Sequence, residues 1–223
     1  MRYCYSSLMK IGVFDSGIGG QAVANALQLQ FPHAVIQVLN DKQNVPYGSK
    51  SPRLVLQLTE TAIRPFLDGT FDVIVLACNT ATAIAIETLR AKYPNQKFIG
   101  IEPMIRTAAG LTKTQTIAVC ATPATLASDR YIALIQRYGT HLDIIEPDCS
   151  QWAYLIENNQ MNRSQIETTI NSLCERGADV IVLGCTHYHW IKELITTIAG
   201  DMVSVIEPSE AIGRRVENLT KAT

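Results

Sequence analysis

One short segment of this chain occurs twice. Asp72-Val-Ile-Val-Leu-Ala-Cys78-Asn-Thr80 is echoed by Asp179-Val-Ile-Val-Leu-Gly-Cys185-Thr-His187, with the two cysteines 107 residues apart. Four branched apolar residues followed by a small one describe a short strand buried on both faces, as at the centre of a parallel sheet. Any such strand shares that apolar run. The informative part is a cysteine at the same place in both copies, followed each time by polar residues. A spacing of about half the chain, with a single recurrence, is too long for a solenoid repeat and points to two similar halves.

The rest of the sequence agrees with this division. Strand-like runs at Lys10–Phe14, Ala34–Leu39, Val73–Ala77, Phe98–Ile101, Thr116–Cys120, Leu142–Ile145, Val180–Gly184 and Val203–Ile206 alternate with helix-like stretches. The helical stretches are Gln21–Gln30, Ser51–Leu67, Ala81–Ala91, Leu126–Tyr138, Arg163–Arg176 and Ile191–Ala199. Such alternation implies crossover connections and mostly parallel sheets. Eight strands would suffice for a closed barrel, but 223 residues are few for a fold that usually takes ~250, and the echo favours two sheets. The expected fold class is α/β, with two similar doubly wound domains.

Charge narrows the partners. With 19 basic and 20 acidic residues and no long run of either sign, the chain lacks the electrostatic footprint of a nucleic-acid or anionic-membrane binder. A small-molecule partner is the better expectation. No apolar stretch approaches the ~20 residues of a membrane span. Met1–Lys10 has no apolar signal core, and Met9 is an alternative start. The six cysteines, at 4, 78, 120, 149, 174 and 185, include no Cys-x-x-Cys pair, which suits reduced thiols in a cytoplasm.

A cysteine at the carboxyl end of a parallel strand and the start of a helix sits where open α/β sheets bind ligands. Unpaired N–H groups and the helix dipole there are expected to favour the thiolate. Cys78 and Cys185 are both so placed. Cys120 and Cys174 read as small buried hydrophobes, Cys4 falls in a tail, and Cys149 is left unassigned. Two thiols from pseudo-symmetric halves suit racemisation: one takes a proton from one face of a carbon while the other returns one to the opposite face. A cysteine hydrolase would need only one of them, with a histidine.

Other motifs surround these thiols. Ile11-Gly-Val-Phe-Asp15-Ser16-Gly17-Ile-Gly19-Gly20 reads as strand, glycine-rich turn and helix start, whose N–H groups can hold a carboxylate or phosphate. Gly17-x-Gly19-x-x-Ala22, with Asp41 further on, also fits a permissive dinucleotide fingerprint, although Asp15 would repel a pyrophosphate. Asn44-Val-Pro46-Tyr47-Gly48-Ser-Lys-Ser51 is a turn-rich loop. Asn79-Thr80 and Thr186-His187 set polar groups beside each thiol. Cys185-x-His187-x-His189 is dense in metal ligands, but it is not the spaced pairing of a structural zinc site, and no metal is expected.

Together these residues resemble the bacterial glutamate racemases, within the aspartate/glutamate racemase superfamily. The resemblance runs from Ile11 to about Asn218. It rests on Asp15-Ser-Gly-Ile-Gly-Gly20, Pro46-Tyr-Gly48, Ala77-Cys-Asn-Thr-Ala-Thr82, Ala121-Thr-Pro-Ala-Thr125 and Leu183-Gly-Cys-Thr-His-Tyr188. It implies a first domain of 1–102 plus 206–223, a second of 103–205, a buried site at their interface, no cofactor, and a homodimer. The implied activity is interconversion of L- and D-glutamate by two thiols, which in bacteria supplies D-glutamate for peptidoglycan. Cys78 would take the α-proton of D-glutamate and Cys185 that of L-glutamate. Asp15, Ser16, Tyr47, Gly48, Asn79, Thr80, Thr186 and His187 would hold the substrate, with Thr122 and Thr125 as further contacts. Asp15 and His187 would tune the thiols, with Glu157 and Asp41 as secondary candidates.

Three stretches depart from the family pattern: His189, where proline is usual; Asp41-Lys-Gln-Asn44, which lacks a usual basic residue; and Cys149-Ser-Gln-Trp-Ala-Tyr154, where a proline-rich segment is usual. They bear on substrate identity more than on fold. The alternatives are an aspartate or other amino-acid racemase, a dinucleotide-binding oxidoreductase, and a non-catalytic amino-acid-binding protein.

Overall fold

Strands and helices alternate throughout a computed structural model that describes residues 8–221; Cys4 lies outside the described residues. The first half runs β1 (Lys10–Asp15), α1 (Gly19–Gln30), β2 (Val35–Asn40), α2 (Pro52–Ala62), β3 (Val73–Leu76), α3 (Asn79–Lys92) and β4 (Phe98–Gly100). The second begins with α4 (Ile105–Leu111), β5 (Thr116–Ala121), α5 (Pro123–Leu126), α6 (Asp129–Tyr138) and β6 (Asp143–Ile145). It continues through α7 (Trp152–Glu157), α8 (Arg163–Glu175), β7 (Val180–Gly184), α9 (Lys192–Ala199) and β8 (Ser204–Ile206), before the last helix α10 (Ser209–Lys221).

The two sheets share one topology. Their strand orders are β2-β1-β3-β4 and β6-β5-β7-β8, and every pairing is parallel. The echoed segments are the inner strands β3 and β7, each buried along its whole length. Their uniform apolarity follows from helices on both faces. Side chains alternate along a strand, so Ile74 and Leu76 pack with Val55 and Leu89 of α2 and α3. Val73 and Val75 face the other way, onto Val23 and Leu27 of α1 and Ile212 and Val216 of α10. In the second sheet Ile181 and Leu183 face α7, α8 and α9, while Val180 and Val182 face α4 and α6.

Helix α10 therefore returns to the first half, against α1 and β4. The chain crosses between the sheets twice, once after β4 and once after β8. Both crossings read Ile-Glu-Pro, at Ile101-Glu102-Pro103 and Ile206-Glu207-Pro208.

Element boundaries differ from expectation for local reasons. The helix expected over Ser51–Leu67 starts with Ser51 accepting from the Leu54 N–H at 3.4 Å but stops at Ala62. Pro65 has no N–H to extend the ladder, and only a 3-10 turn, Arg64–Phe66, follows. The stretch Leu126–Tyr138 is interrupted at Ser128, whose hydroxyl caps α6 by accepting from the Tyr131 N–H at 3.2 Å. Among the described residues no helix is long and apolar enough to cross a membrane.

Candidate active site

The carboxyl ends of β1, β3, β5 and β7 lead into Asp15-Ser16, Cys78, Thr122 and Cys185. These are the inner strands of each sheet, where the chain order reverses and open α/β folds leave a crevice. One small cavity lies there. Ser16, Tyr47, Gly48, Cys78, Asn79 and Thr80 of the first half line it together with Thr122, Cys185, Thr186 and His187 of the second; Pro46 and Ala153 complete the wall. The centre of a water molecule has only about 10 Å³ in which to sit, so the two halves are closed on one another.

Cys78 forms the N-cap of α3, which starts at Asn79 rather than at Ala81. Its sulfur accepts from the Ala81 N–H at 3.4 Å and lies 3.5 Å from Ser16 Oγ. The expected thiolate-favouring effect of the helix start does not prevail. Burial, reinforced by the Asp15 charge, pushes the Cys78 thiol up to about 12 against the help of Ser16 and the Ala81 N–H. Cys78 therefore rests as a thiol.

Cys185 has different surroundings. It is followed by a 3-10 helix, Thr186–Ile191, rather than the α-helix expected, and no side-chain cap is formed. Its sulfur lies 3.8 Å from His187 Nδ1, while His187 Nε2 lies 2.6 Å from Glu157 Oε2. Burial alone would lower the histidine's pKa. Hydrogen bonding to Cys185 and to Glu157 outweighs it and pushes His187 up to about 11. The imidazole is therefore a held cation. Burial would raise Glu157, but bonds from His187 and the Ile18 N–H, the latter at 3.0 Å, keep it below the usual carboxylate range.

The glycine-rich turn holds an anion, and that anion is the protein's own. The Gly17 N–H donates to Asp15 Oδ2 at 2.9 Å, and the Ile18 N–H is taken by Glu157 from the second half. A side chain at Gly17 would run into Glu157 and His187, and one at Gly19 into Thr186. A pyrophosphate has no cradle left there, which removes the dinucleotide reading. Asp15 lies behind the cavity wall, fully buried, accepting from the Thr186 hydroxyl at 2.8 Å. Burial raises its pKa despite its donors and the nearby His187 charge.

Three hydroxyls join the halves on another side: Thr80 and Thr122 are 3.0 Å apart, Thr122 and Thr125 3.0 Å, and Thr80 and Thr125 3.4 Å. Beside them both polar atoms of the buried Asn79 amide lack a hydrogen-bond partner. Unpaired buried polar atoms are costly, and Asn79 is one of the residues that line the cavity.

Of the unusual stretches, only Cys149–Tyr154 reaches the cavity wall, through Ala153; the others lie outside it. Asp41 accepts from Tyr47 Oη at 2.7 Å and from Asn44 Nδ2 at 2.9 Å, bracing Tyr47 from behind. Trp152 packs edge-on against Tyr188 with ring centres 5.3 Å apart, and Tyr188 Oη donates to the Cys149 carbonyl at 3.0 Å. Cys120 and Cys149 are buried in that core, whereas Cys174 is only half-buried at its edge. His189 turns away toward Glu207, at 3.5 Å. Among the described residues no group of three or more His, Cys, Asp or Glu side chains is placed to hold a metal ion. Glu157 is more central than its secondary ranking suggested: nothing in the sequence marks an acid 139 residues from the turn it bonds.

Comparison with known proteins finds relatives along most of the chain. Residues 21–215 match the family model described as Asp/Glu/hydantoin racemase. A curated glutamate racemase of Herpetosiphon aurantiacus is 36% identical over 95% of this chain and 85% of its own length. The crystal structure of a glutamate racemase isoform from Bacillus anthracis superposes with a TM-score of 0.83 at 27% identity, covering 96% of this chain and 82% of that one. That of the Francisella tularensis glutamate racemase in complex with D-glutamate gives 0.79 at 28% identity, covering 95% and 80%. With the match spanning nearly all of both sheets and both thiol segments, the chain belongs to the Asp/Glu/hydantoin racemase family and is, with it, an isomerase.

Proposed function

We propose that this protein interconverts L- and D-glutamate without a cofactor, using Cys78 and Cys185 as the two acid–base groups. The observation that carries this reading is one small cavity lined by a thiol from each half and by Asn79, whose buried amide has no hydrogen-bond partner. In the L-to-D direction, Cys185, as thiolate beside the His187 cation, removes the α-proton of L-glutamate. Cys78, resting as a thiol, donates its proton to the opposite face. The enzyme is left with a Cys185 thiol and a Cys78 thiolate, the state that runs the reverse reaction. Excluding water keeps the intermediate carbanion from other proton sources. Asn79, Ser16, Thr80, Thr122, Thr186 and the Tyr47-Gly48 segment hold the amino acid's charged groups, while Asp15 and His187 tune the thiols.

Glutamate is chosen over aspartate because the relatives at 30% identity and above carry that name. The domains divide at the two crossings, into 1–102 plus 206–223 and 103–205. In the cell the reading makes the protein a cytoplasmic homodimer feeding D-glutamate to peptidoglycan. Light scattering tests the dimer, and rescue of a D-glutamate-requiring bacterium tests the supply.

The chemistry is tested by incubating the protein with L-glutamate or L-aspartate in D2O while following α-deuterium uptake and optical rotation. Glutamate is expected to exchange and racemise, and Cys78→Ala and Cys185→Ala each to abolish racemisation. Full activity in either variant overturns the two-thiol mechanism; preference for aspartate overturns the substrate.

A further inference from the structure

The 3-10 helix after Cys185 is six residues long, Thr186–Ile191, where runs beyond three or four are uncommon without outside support. Its successive side chains are each tied to a different part of the fold. Thr186 donates to Asp15 at the end of β1, His187 pairs with Glu157 on α7, and Tyr188 donates to the Cys149 carbonyl. His189 is the fourth side chain in this series. It is 7% exposed, and its buried Nε2, which has no hydrogen-bond partner, lies 3.5 Å from Glu207 Oε2.

Glu207 belongs to the second crossing between the halves. It is fixed in turn by the Ser209 N–H at 2.7 Å, at the start of α10, and by Lys192 Nζ at 3.4 Å. Helix α10 packs on α1, and α1 begins in the turn that Glu157 and Thr186 touch. The charged or titratable groups facing His189 are Glu207, Lys192, Asp15 and His187, and burial keeps its imidazole neutral. Glu207 is the carboxylate nearest this unpaired ring nitrogen, so the contact is a close polar approach to a fixed group. It sets where the turn sits without adding another charge beside the thiols.

We propose that His189 is a positioning residue for the Cys185 side of the site, tying the turn that carries Thr186 and His187 to Glu207 at the interdomain crossing. It touches no substrate. Its effect falls on one thiol, because Cys78 is held separately by α3 and Ser16. This rests on the two-thiol reading above, with Cys185 serving L-glutamate.

Primary isotope effects isolate that asymmetry. The two directions of a racemase share one equilibrium, so kcat/KM alone cannot show it. When proton transfer at Cys185 becomes more rate-limiting, the isotope effect on α-deuterated L-glutamate rises and that on α-deuterated D-glutamate falls. The variant His189→Phe keeps a ring and removes the polar contact; His189→Gln keeps a polar N–H on the side facing Glu207; Glu207→Gln removes the charge from the other end.

We expect His189→Phe to lower kcat by about tenfold, with the two isotope effects moving in opposite senses. Glu207→Gln is expected to repeat the pattern, and His189→Gln to restore most of it. Circular dichroism confirms folding, and Glu207→Gln carries the test if His189→Phe does not fold. Isotope effects that move together, or do not move, overturn the proposal. If the unaltered protein exchanges the α-proton of neither enantiomer, the racemase reading falls and this one with it.

Discussion

Glu157 spends one carboxylate oxygen on two partners, His187 Nε2 at 2.6 Å and the Ile18 N–H at 3.0 Å. It thereby binds the glycine turn of the first half to the imidazole of the second. Both side chains are buried, with 3% of His187 and 11% of Glu157 exposed, so Glu157→Gln strands a buried cation. Breaking such a pair destabilises by about 3 kcal/mol. The pair also fixes a pH dependence. His187 is raised from 6.5 to about 11, so its contribution is complete below 6.5 and disappears as pH rises through about 11. Glu157 is held below its ordinary 4.5, so its contribution is complete above 4.5 and disappears as pH falls through the lowered value. The unaltered protein is expected to lose melting temperature steadily from pH 6.5 upward, and Glu157→Gln to flatten that slope. Parallel melting curves for the two proteins would refute the ion pair. The same balance explains Cys78: position at a helix start was legible in the sequence, but burial and a neighbouring acid, which decide its charge, were not.

At the scale of elements, two close approaches between helices and turns have unequal consequences. Gly19 opens α1 against the Thr186 backbone; an added Cβ would lie 2.5 Å from Thr186 Cβ and 2.7 Å from its carbonyl carbon. Neither atom can rotate away. Gly213 of α10 meets the end of the Gln30 side chain on α1, which can swing aside. Gly19→Ala is expected to destabilise by about 3 kcal/mol or more and to reduce turnover at least tenfold, as overpacking displaces the Cys185 turn. Gly213→Ala is expected to stay within about 1 kcal/mol. Urea unfolding of both variants, with turnover measured alongside, checks the contrast; equal losses would show that the α1–turn contact is plastic. The sequence disclosed all eight described strands, to within a residue or so at their ends, because short apolar runs such as Val73–Leu76 are bounded by turn residues. Helices α4, α5, α7 and α10 were not foreseen. Helix α7 is six residues long, and in α10 the buried Ile212 and Val216 are spread among charges. The 3-10 form after Cys185 was hidden too, because its support comes from Asp15, Glu157, Cys149 and Glu207, none nearby in sequence.

For the whole molecule, the echo foretold two sheets but not how they are held face to face. Each Ile-Glu-Pro crossing presents a glutamate to bases of the second half. Glu207 meets Lys192 and His189; Glu102 meets Arg130, whose Nε is 2.8 Å from Oε2 and whose Nη2 donates to Oε1 at 3.2 Å. Arg130 also reaches Glu87 on α3 at 2.8 Å, but Glu87 is 71% exposed and adds little. A cavity with space for little more than one water cannot admit an amino acid as it stands. If the cavity takes an amino acid, the halves must separate to admit it, and Arg130, paired with Glu102 at one crossing, is then expected to brace the closed form. Arg130→Met should cost about 1 kcal/mol of closure, since the Arg130 and Glu102 side chains are 27% and 33% exposed. If the closed form binds substrate, apparent affinity falls with the closed fraction, so KM rises severalfold while kcat, set within the closed form, changes little. Salt near 1 M should screen the pair in the unaltered protein and bring its KM toward that of the variant. Steady-state kinetics at low and high salt check this. A fall in kcat at constant KM would mean that Arg130 acts on the chemistry instead of on closure.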